Sequence, residues 1–295
     1  MTRNPPRRDP GIDVEKLAQN IQKKFGADSA SIPGKEPDFM LRKIKSWIPV
    51  GKLNAILAHE SNGIPCGYYI EISGGEGAGK TTLAYYLIGI AQKAGAVTIL
   101  ADIEHSYDPV WSSKQGVDNS KLIRLESAYV DSEGLIVDNA DQHFKKWEYI
   151  LYEAKRLYGD VPKLLIPDSL AAMLPKEQLE GDYGERSVGA LARAMAVNLP
   201  KFHSTLIDTN TACIFINQLR DKIGVMFGET ETTPGGRAKN FYFFSRVSIK
   251  KIKTLRSGER PIGIETKLTN KKNKLSVPFL NLNFSITFKD GLILN

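Results

Sequence analysis

Apolar residues recur along this chain in two different periods, and the switching between them maps its elements. Val14, Leu17, Ala18, Ile21 and Phe25 fall on one helical stripe, between an N-cap candidate at Asp13 and a stop at Gly26. The stripe needs a cover, either the chain's own core or a neighbouring subunit. A Ser-, Pro- and Gly-rich stretch from Asp28 to Pro37 follows. Residues 1–36 therefore read as a tail with an oligomerisation arm, and residues 37–295 as the core. From Tyr68 onward strands and helices alternate. The pattern predicts strands at Tyr68–Ile72, Val97–Asp102, Leu122–Leu125, Lys163–Ile166 and Cys213–Gln218. It predicts helices from Thr82 to Ala91, from Asp108-Pro109, from Phe144 to Tyr158 and from about Val188 to Leu206, the last broken or kinked at Pro200. After Phe241 only strands follow, at Phe241–Ile252, Ile262–Leu268 and Leu280–Phe288. Such a chain is α/β, with a mainly parallel central sheet flanked by helices and an antiparallel extension.

Between the first strand and helix of that core stands Gly74-Gly75-Glu76-Gly77-Ala78-Gly79-Lys80-Thr81-Thr82. It fits G-x-x-x-x-G-K-[ST] in the strand–loop–helix context that gives the motif its meaning. Its glycines let successive backbone N–H groups turn toward a triphosphate, and the helix N-terminus adds a favourable field. Lys80 is suited to neutralise β/γ-oxygens and Thr81 to offer a hydroxyl to Mg²⁺. The motif implies ATP-type nucleotide binding.

Length, charge and cysteines add little to this. The 295 residues suffice for one large core with a small appendage, and a net charge of +7 permits a polyanionic partner without requiring one. The two cysteines, Cys66 and Cys213, have no zinc or disulfide spacing. Cys213 lies in an apolar run and reads as a buried free thiol of a reducing compartment. No apolar stretch has transmembrane length, and the polar, proline-rich N-terminus lacks a signal-peptide core, so a cytoplasmic location without membrane contact is expected.

Hydrolysis needs an acid near the metal and a group that activates or orients water, both at the carboxyl ends of strands beside the phosphate loop. Three strand ends qualify: Asp168, Glu104, and Asn217-Gln218. Here the chain resembles the bacterial RecA recombinases. Ala101-Asp102-Ile103-Glu104-His105-Ser106-Tyr107-Asp108-Pro109 is similar to the family's acidic Asp-Ala-Glu-His stretch, and Asp168 to Lys176 to its Walker B segment. Phe215 to Gly228, continuing through Glu231 to Gly236, is nearly its second DNA-binding loop. The similarity runs from about residue 12 to the end.

The resemblance implies a RecA-like core and a DNA-dependent ATPase that filaments on single-stranded DNA and pairs it with homologous double-stranded DNA. Glu104 would activate water, and Gln218 would sense the γ-phosphate. Thr81 and Asp168 would hold Mg²⁺. Gly74, Glu76, Gly77, Ala78, Gly79, Lys80, Thr81 and Thr82 would cradle the phosphates, with Asp108, Trp111 and Phe288 toward the base. Lys272 and Lys274 match lysines that reach a neighbouring subunit's ATP; from the residues alone they are equally a DNA patch or a solvated turn. Two DNA-binding loops are implied, at about 178–189 and 219–236. They carry Val188, Gly189 and flanking Arg193, then Arg220, Lys222, Ile223, Gly224, Gly235 and Gly236. Glycines and flanking cations suit backbone contacts that read no bases.

The chain departs from the family in several places. Gly77-Ala78 replaces a serine pair. Pro167 falls inside the Walker B strand and is expected to bend it at Asp168. Pro200 and Asn240 replace basic residues, and Ser127 to Asp141 is longer than its counterpart. The sequence ends at Asn295, before the family's small C-terminal domain, which implies weaker autoregulation. Two other readings remain at this point: a ring-helicase-type motor on the same core, and a DNA-binding accessory paralogue with little hydrolysis.

Overall fold

The computed structural model describes residues 13–32, 34, 41, 43–132, 134–182, 189–221, 231–237 and 239–294. The chain divides into two compact units, Met1–Ile44 and Lys45–Asn295. In the first, helix α1 (Val14–Phe25) starts where the Asp13 carboxylate accepts from Lys16 N at 2.9 Å. Val14, Leu17 and Phe25 of its apolar stripe are exposed.

The second unit is built on a nine-stranded sheet in the order Gly291–Leu294, Asn281–Thr287, Arg260–Asn273, Phe243–Ser257, Tyr69–Gly74, Thr211–Gln218, Lys163–Asp168, Val97–Asp102 and Leu122–Glu126. A minor pair, β1 (Trp47–Ile48) with β2 (Ile64–Pro65), precedes it. The sheet proper begins with β3 (Tyr69–Gly74), β4 (Val97–Asp102) and β5 (Leu122–Glu126). An antiparallel hairpin, β6 (Ala128–Asp131) and β7 (Gly134–Val137), lies between β5 and the helix that follows. Next come β8 (Lys163–Asp168) and β9 (Thr211–Gln218), then the short pair β10 (Arg220–Asp221) and β11 (Glu231–Thr232). The last four are β12 (Phe243–Ser257), β13 (Arg260–Asn273), β14 (Asn281–Thr287) and β15 (Gly291–Leu294). From β5 across to β12 every pairing is parallel; from β12 to β15 every pairing is antiparallel.

Side chains alternate between the two faces of each strand. Ile70, Ile72, Leu100, Leu164, Ile166, Ile214 and Ile216 join a core with helix α2 (Lys80–Lys93). Tyr69, Ile99, Leu165, Cys213 and Phe215 face the other way, against helices α4 (Ala140–Tyr158) and α5 (Ala190–Asp208). The short α3 (Pro109–Lys114) follows β4, with Pro109 at its tolerated first position. Period two therefore puts Asp168 on the α2 face, and Glu71 and Asn217 on the opposite one. Both cysteines are buried and free, and burial pushes the Cys66 thiol up to about 12.

Several boundaries differ from those read in the sequence. Helix α4 begins four residues before Phe144, because Asn139 and Gln142 close a reciprocal capping box there. Helix α5 runs unbroken through Pro200; packing of Met195, Leu199 and Phe202 on the sheet outweighs the lost backbone hydrogen bond. Phe241 and Tyr242 belong to a helical turn, Lys239–Tyr242, rather than to the strand that follows. Pro167 does not interrupt the ladder with β4, which continues through Pro167 to Asp168, while pairing with β9 stops at Leu165. The ring lies beyond the end of that second ladder, where no donor is required.

Candidate nucleotide and DNA site

A cleft of about 760 Å³ opens at the carboxyl ends of the parallel strands. Glu76, Gly77, Gly79, Lys80, Thr81 and Thr82 line one wall, Glu104, Asp168 and Gln218 the floor, and Trp111, Ile264, Ile286 and Phe288 the apolar side. Two positions of the phosphate loop require glycine, Gly74 through close approach of backbone and Gly79 through its left-handed conformation. A Cβ at Gly74 would stand 2.4 Å from the Ile249 carbonyl of β12, and one at Gly79 (φ +94°) 2.3 Å from Ile286. Gly74 and Ala78 do not line the cleft.

Lys80 Nζ donates to the Gly75 carbonyl at 2.8 Å. Burial pulls its ammonium below the usual lysine range, against the opposing pull of Asp168, Glu104 and Glu76. Thr81 Oγ1 donates to Asp168 Oδ2 at 2.8 Å. Burial pushes the Asp168 carboxyl up to about 6; the Thr81 hydroxyl opposes the shift and the Glu104 charge adds to it. A hydroxyl and a carboxylate oxygen side by side in the cleft floor suit Mg²⁺, a hard cation commonly held by one or two protein oxygens plus phosphates and water. Among the described residues no His/Cys/Asp/Glu trio forms a self-sufficient metal cage.

Glu104 is held from two sides. Gln218 Nε2 donates to its Oε1 at 2.9 Å, and Ser169 Oγ donates to the same oxygen. The Asp168 carbonyl accepts from Ile103 N at 2.8 Å and from Glu104 N at 3.2 Å, fixing the segment that carries the acid to the end of β8. Ser169 had no role in the sequence reading, although it adjoins Asp168. Trp111 Nε1 donates to Thr82 Oγ1 at 3.0 Å, so the indole is anchored at the phosphate loop. Asp108 Oδ1 caps α3, accepting from Val110 N and Trp111 N at 2.8 and 2.9 Å, and the residue does not line the cleft.

The described parts of the two loop regions lie beyond the same strand ends. Gly189 (φ +76°) is the left-handed N-cap of α5, and Arg193 Nη2 stands 3.7 Å from Glu177 Oε1. Beyond Gln218, Arg220 pairs with Thr232 across β10–β11. Gly235 and Gly236 have positive φ, and a Cβ at Gly236 would meet Ala192 of α5 at 2.6 Å. Val188, Lys222, Ile223 and Gly224 lie outside the described residues. Lys272 Nζ donates to the Asn240 and Phe243 carbonyls at 2.6 and 2.7 Å, and Lys274 Nζ lies 6.0 Å from the Phe244 ring centre. Neither lysine lines the cleft of its own chain.

One cluster escaped the sequence reading altogether. Glu71 of β3, fully buried, accepts from Lys239 Nζ at 2.6 Å, Arg246 Nε at 2.7 Å and Asn217 Nδ2 at 2.9 Å. Burial alone would raise its pKa; Lys239 and Arg246 outweigh that and hold it below the usual carboxylate range. The available signal was a lone charge in the middle of an apolar strand.

A glycine loop, its lysine and threonine, and acids at neighbouring strand ends define a phosphate-loop nucleoside triphosphatase on a mainly parallel sheet. The family model described as the RecA N-terminal domain matches residues 13–293. The Protein RecA of Bifidobacterium longum is 37% identical over 287 residues, covering 97% of this chain and 67% of that protein. Those of Aquifex aeolicus and Thermus aquaticus are 38% identical over 280 residues, covering 95% of this chain and 75% and 76% of theirs. The chain belongs to the RecA family. It is accordingly an ATP-dependent DNA recombinase and a DNA-dependent ATPase. Among the described residues no helix is long and apolar enough to cross a membrane.

Proposed function

We propose that this chain hydrolyses ATP at the cleft between Lys80 and Glu104 and uses the nucleotide state to set its grip on DNA. The phosphate loop from Gly75 to Gly79 binds the triphosphate through backbone N–H groups, and Lys80 offsets charge on its outer oxygens. Mg²⁺, held by Thr81 and by Asp168 directly or through water, would neutralise β/γ-phosphate charge. Trp111 and Phe288 offer apolar surface to the base. Glu104, oriented by Gln218 and Ser169, takes the proton of the attacking water.

DNA contact is assigned to Gly189, Arg193, Arg220, Gly235 and Gly236, with Val188, Lys222, Ile223 and Gly224 completing the set outside the described residues. In a filament along single-stranded DNA, residues 1–36 serve as the arm that adds a subunit, and the exposed stripe of α1 is its contact. Lys272 and Lys274 then serve the nucleotide of the adjoining subunit. The working compartment is the cytoplasm.

The observation that carries this reading is the bond from Gln218 to Glu104. Gln218 ends β9, and the second loop region follows directly from it. ATP turnover measured with and without single-stranded DNA, across a salt series, tests it. Stimulation that weakens steeply with salt is the expected result; equal rates with and without DNA would refute it.

A further inference from the structure

The returning limb of the second loop is tied to β3, the strand that leads into the phosphate loop, through one buried acid. We propose that Glu71 is a positioning residue: its carboxylate, through Lys239 and Asn217, fastens the returning limb Thr233–Pro234 to β3 and transmits nucleotide state to that limb. The proposal deepens the reading of the second loop as a DNA-binding element and rests on it.

The chain of contacts is continuous. Lys239 Nζ, bound to Glu71, also donates to Thr233 Oγ1 at 2.7 Å. Asn217 Nδ2, bound to Glu71, also lies 3.2 Å from the Pro234 carbonyl it donates to. Asn217 Oδ1 in turn accepts from the Gln218 backbone N at 3.0 Å, and Leu219 N donates to the Gly74 carbonyl at 3.1 Å. Both limbs of the loop stem, the outgoing one after Gln218 and the returning one at Thr233–Pro234, are thus referred to β3. Gln218 itself reaches Glu104 in the cleft. A change in what Gln218 grips therefore pulls on a backbone position that Asn217 holds against Glu71.

Stability alone is a poor reason for such a cluster, because apolar side chains of similar volume commonly do as well as a buried ion pair. A fully satisfied polar network does fix one geometry among its members. Lys239 and Glu71 are both fully buried, so neither is available for direct contact with DNA or nucleotide. Their influence has to pass through the residues they hold.

The test compares the affinity of wild-type protein and Glu71→Gln for a labelled single-stranded oligonucleotide, once with a non-hydrolysable ATP analogue and once with ADP. The ratio of the two affinities is the coupling between the sites. For Glu71→Gln this ratio is expected to fall about tenfold, within the usual span of such couplings, while analogue affinity stays within about threefold of wild type. Thr233→Val removes one hydroxyl of the chain and leaves the ion pair intact, so it covers the case in which Glu71→Gln does not fold. Its ratio should fall several-fold at a nearly unchanged melting temperature. An unaltered ratio in the folded variants overturns the proposal. So does a loss of analogue affinity that accounts for the whole change, since Glu71 would then merely shape the cleft. No difference between analogue and ADP in the wild type would instead remove the loop reading, and the proposal with it.

Discussion

Glu71, in the middle of β3, and Asp168, at the end of β8, are buried carboxylates of the same sheet, 0% and 4% exposed. Glu71 receives two cationic side chains and an amide, and its pKa lies below the usual range. Asp168 receives a threonine hydroxyl, and its pKa is pushed up to about 6. A buried charge is tolerated when cations and hydrogen bonds offset its lost hydration; otherwise it tends to take up a proton. The chain supplies those cations internally around Glu71, and that region is finished without a ligand. Around Asp168 it leaves the partner to come from outside, which is what a metal–nucleotide site requires.

The largest effect on this contrast is expected from Lys80→Ala, which removes a cation from the unfinished site. Turnover should drop by about a thousandfold, as for loss of a charge-stabilising donor in other enzymes, measured by steady-state phosphate release. Glu104→Gln should lower turnover by about a hundredfold or more and leave nucleotide affinity near wild type, because an amide still accepts from Gln218 and Ser169. Turnover at the wild-type rate would remove Glu104 from the chemistry. The next effect falls on the finished region. Lys239→Met should lower unfolding stability by about 3 kcal/mol, the usual cost of breaking a buried pair from one side, read from urea denaturation. A loss below about 0.5 kcal/mol would mean that Arg246 alone suffices for Glu71.

The nucleotide site was legible in the sequence because its parts are local. A strand, a glycine loop, a lysine and a helix occupy consecutive positions, Asp168 and Gln218 end apolar strands, and Glu104 stands just past one. What escaped depends on distant or competing contacts. Lys239 and Glu71 are 168 residues apart, and only the β3–β9–β12 neighbourhood brings them together. Asp108 also caps the first free N–H groups of α3, a contact separate from the base contact that the resemblance implies. Pro200 carried a local signal to break a helix, and the packing of α5 against the sheet overrode it. At Pro167 the sequence showed a missing donor but not that the ladder on that side ends two residues earlier.

The division between a finished and an unfinished acid is tested most directly by urea unfolding of nucleotide-free Asp168→Asn and Glu71→Gln at pH 7. The folded-state pKa of Asp168 is raised, so the folded protein holds that proton more tightly than the unfolded chain does. Stability is therefore lost as pH rises from the unfolded value through about 6. An amide carries no such penalty and still accepts from Thr81. Asp168→Asn should accordingly leave stability unchanged or raise it by up to about 3 kcal/mol, whereas Glu71→Gln should lower it by about 3 kcal/mol. Equal destabilisation of both variants, or a Glu71→Gln protein as stable as wild type, would contradict the account.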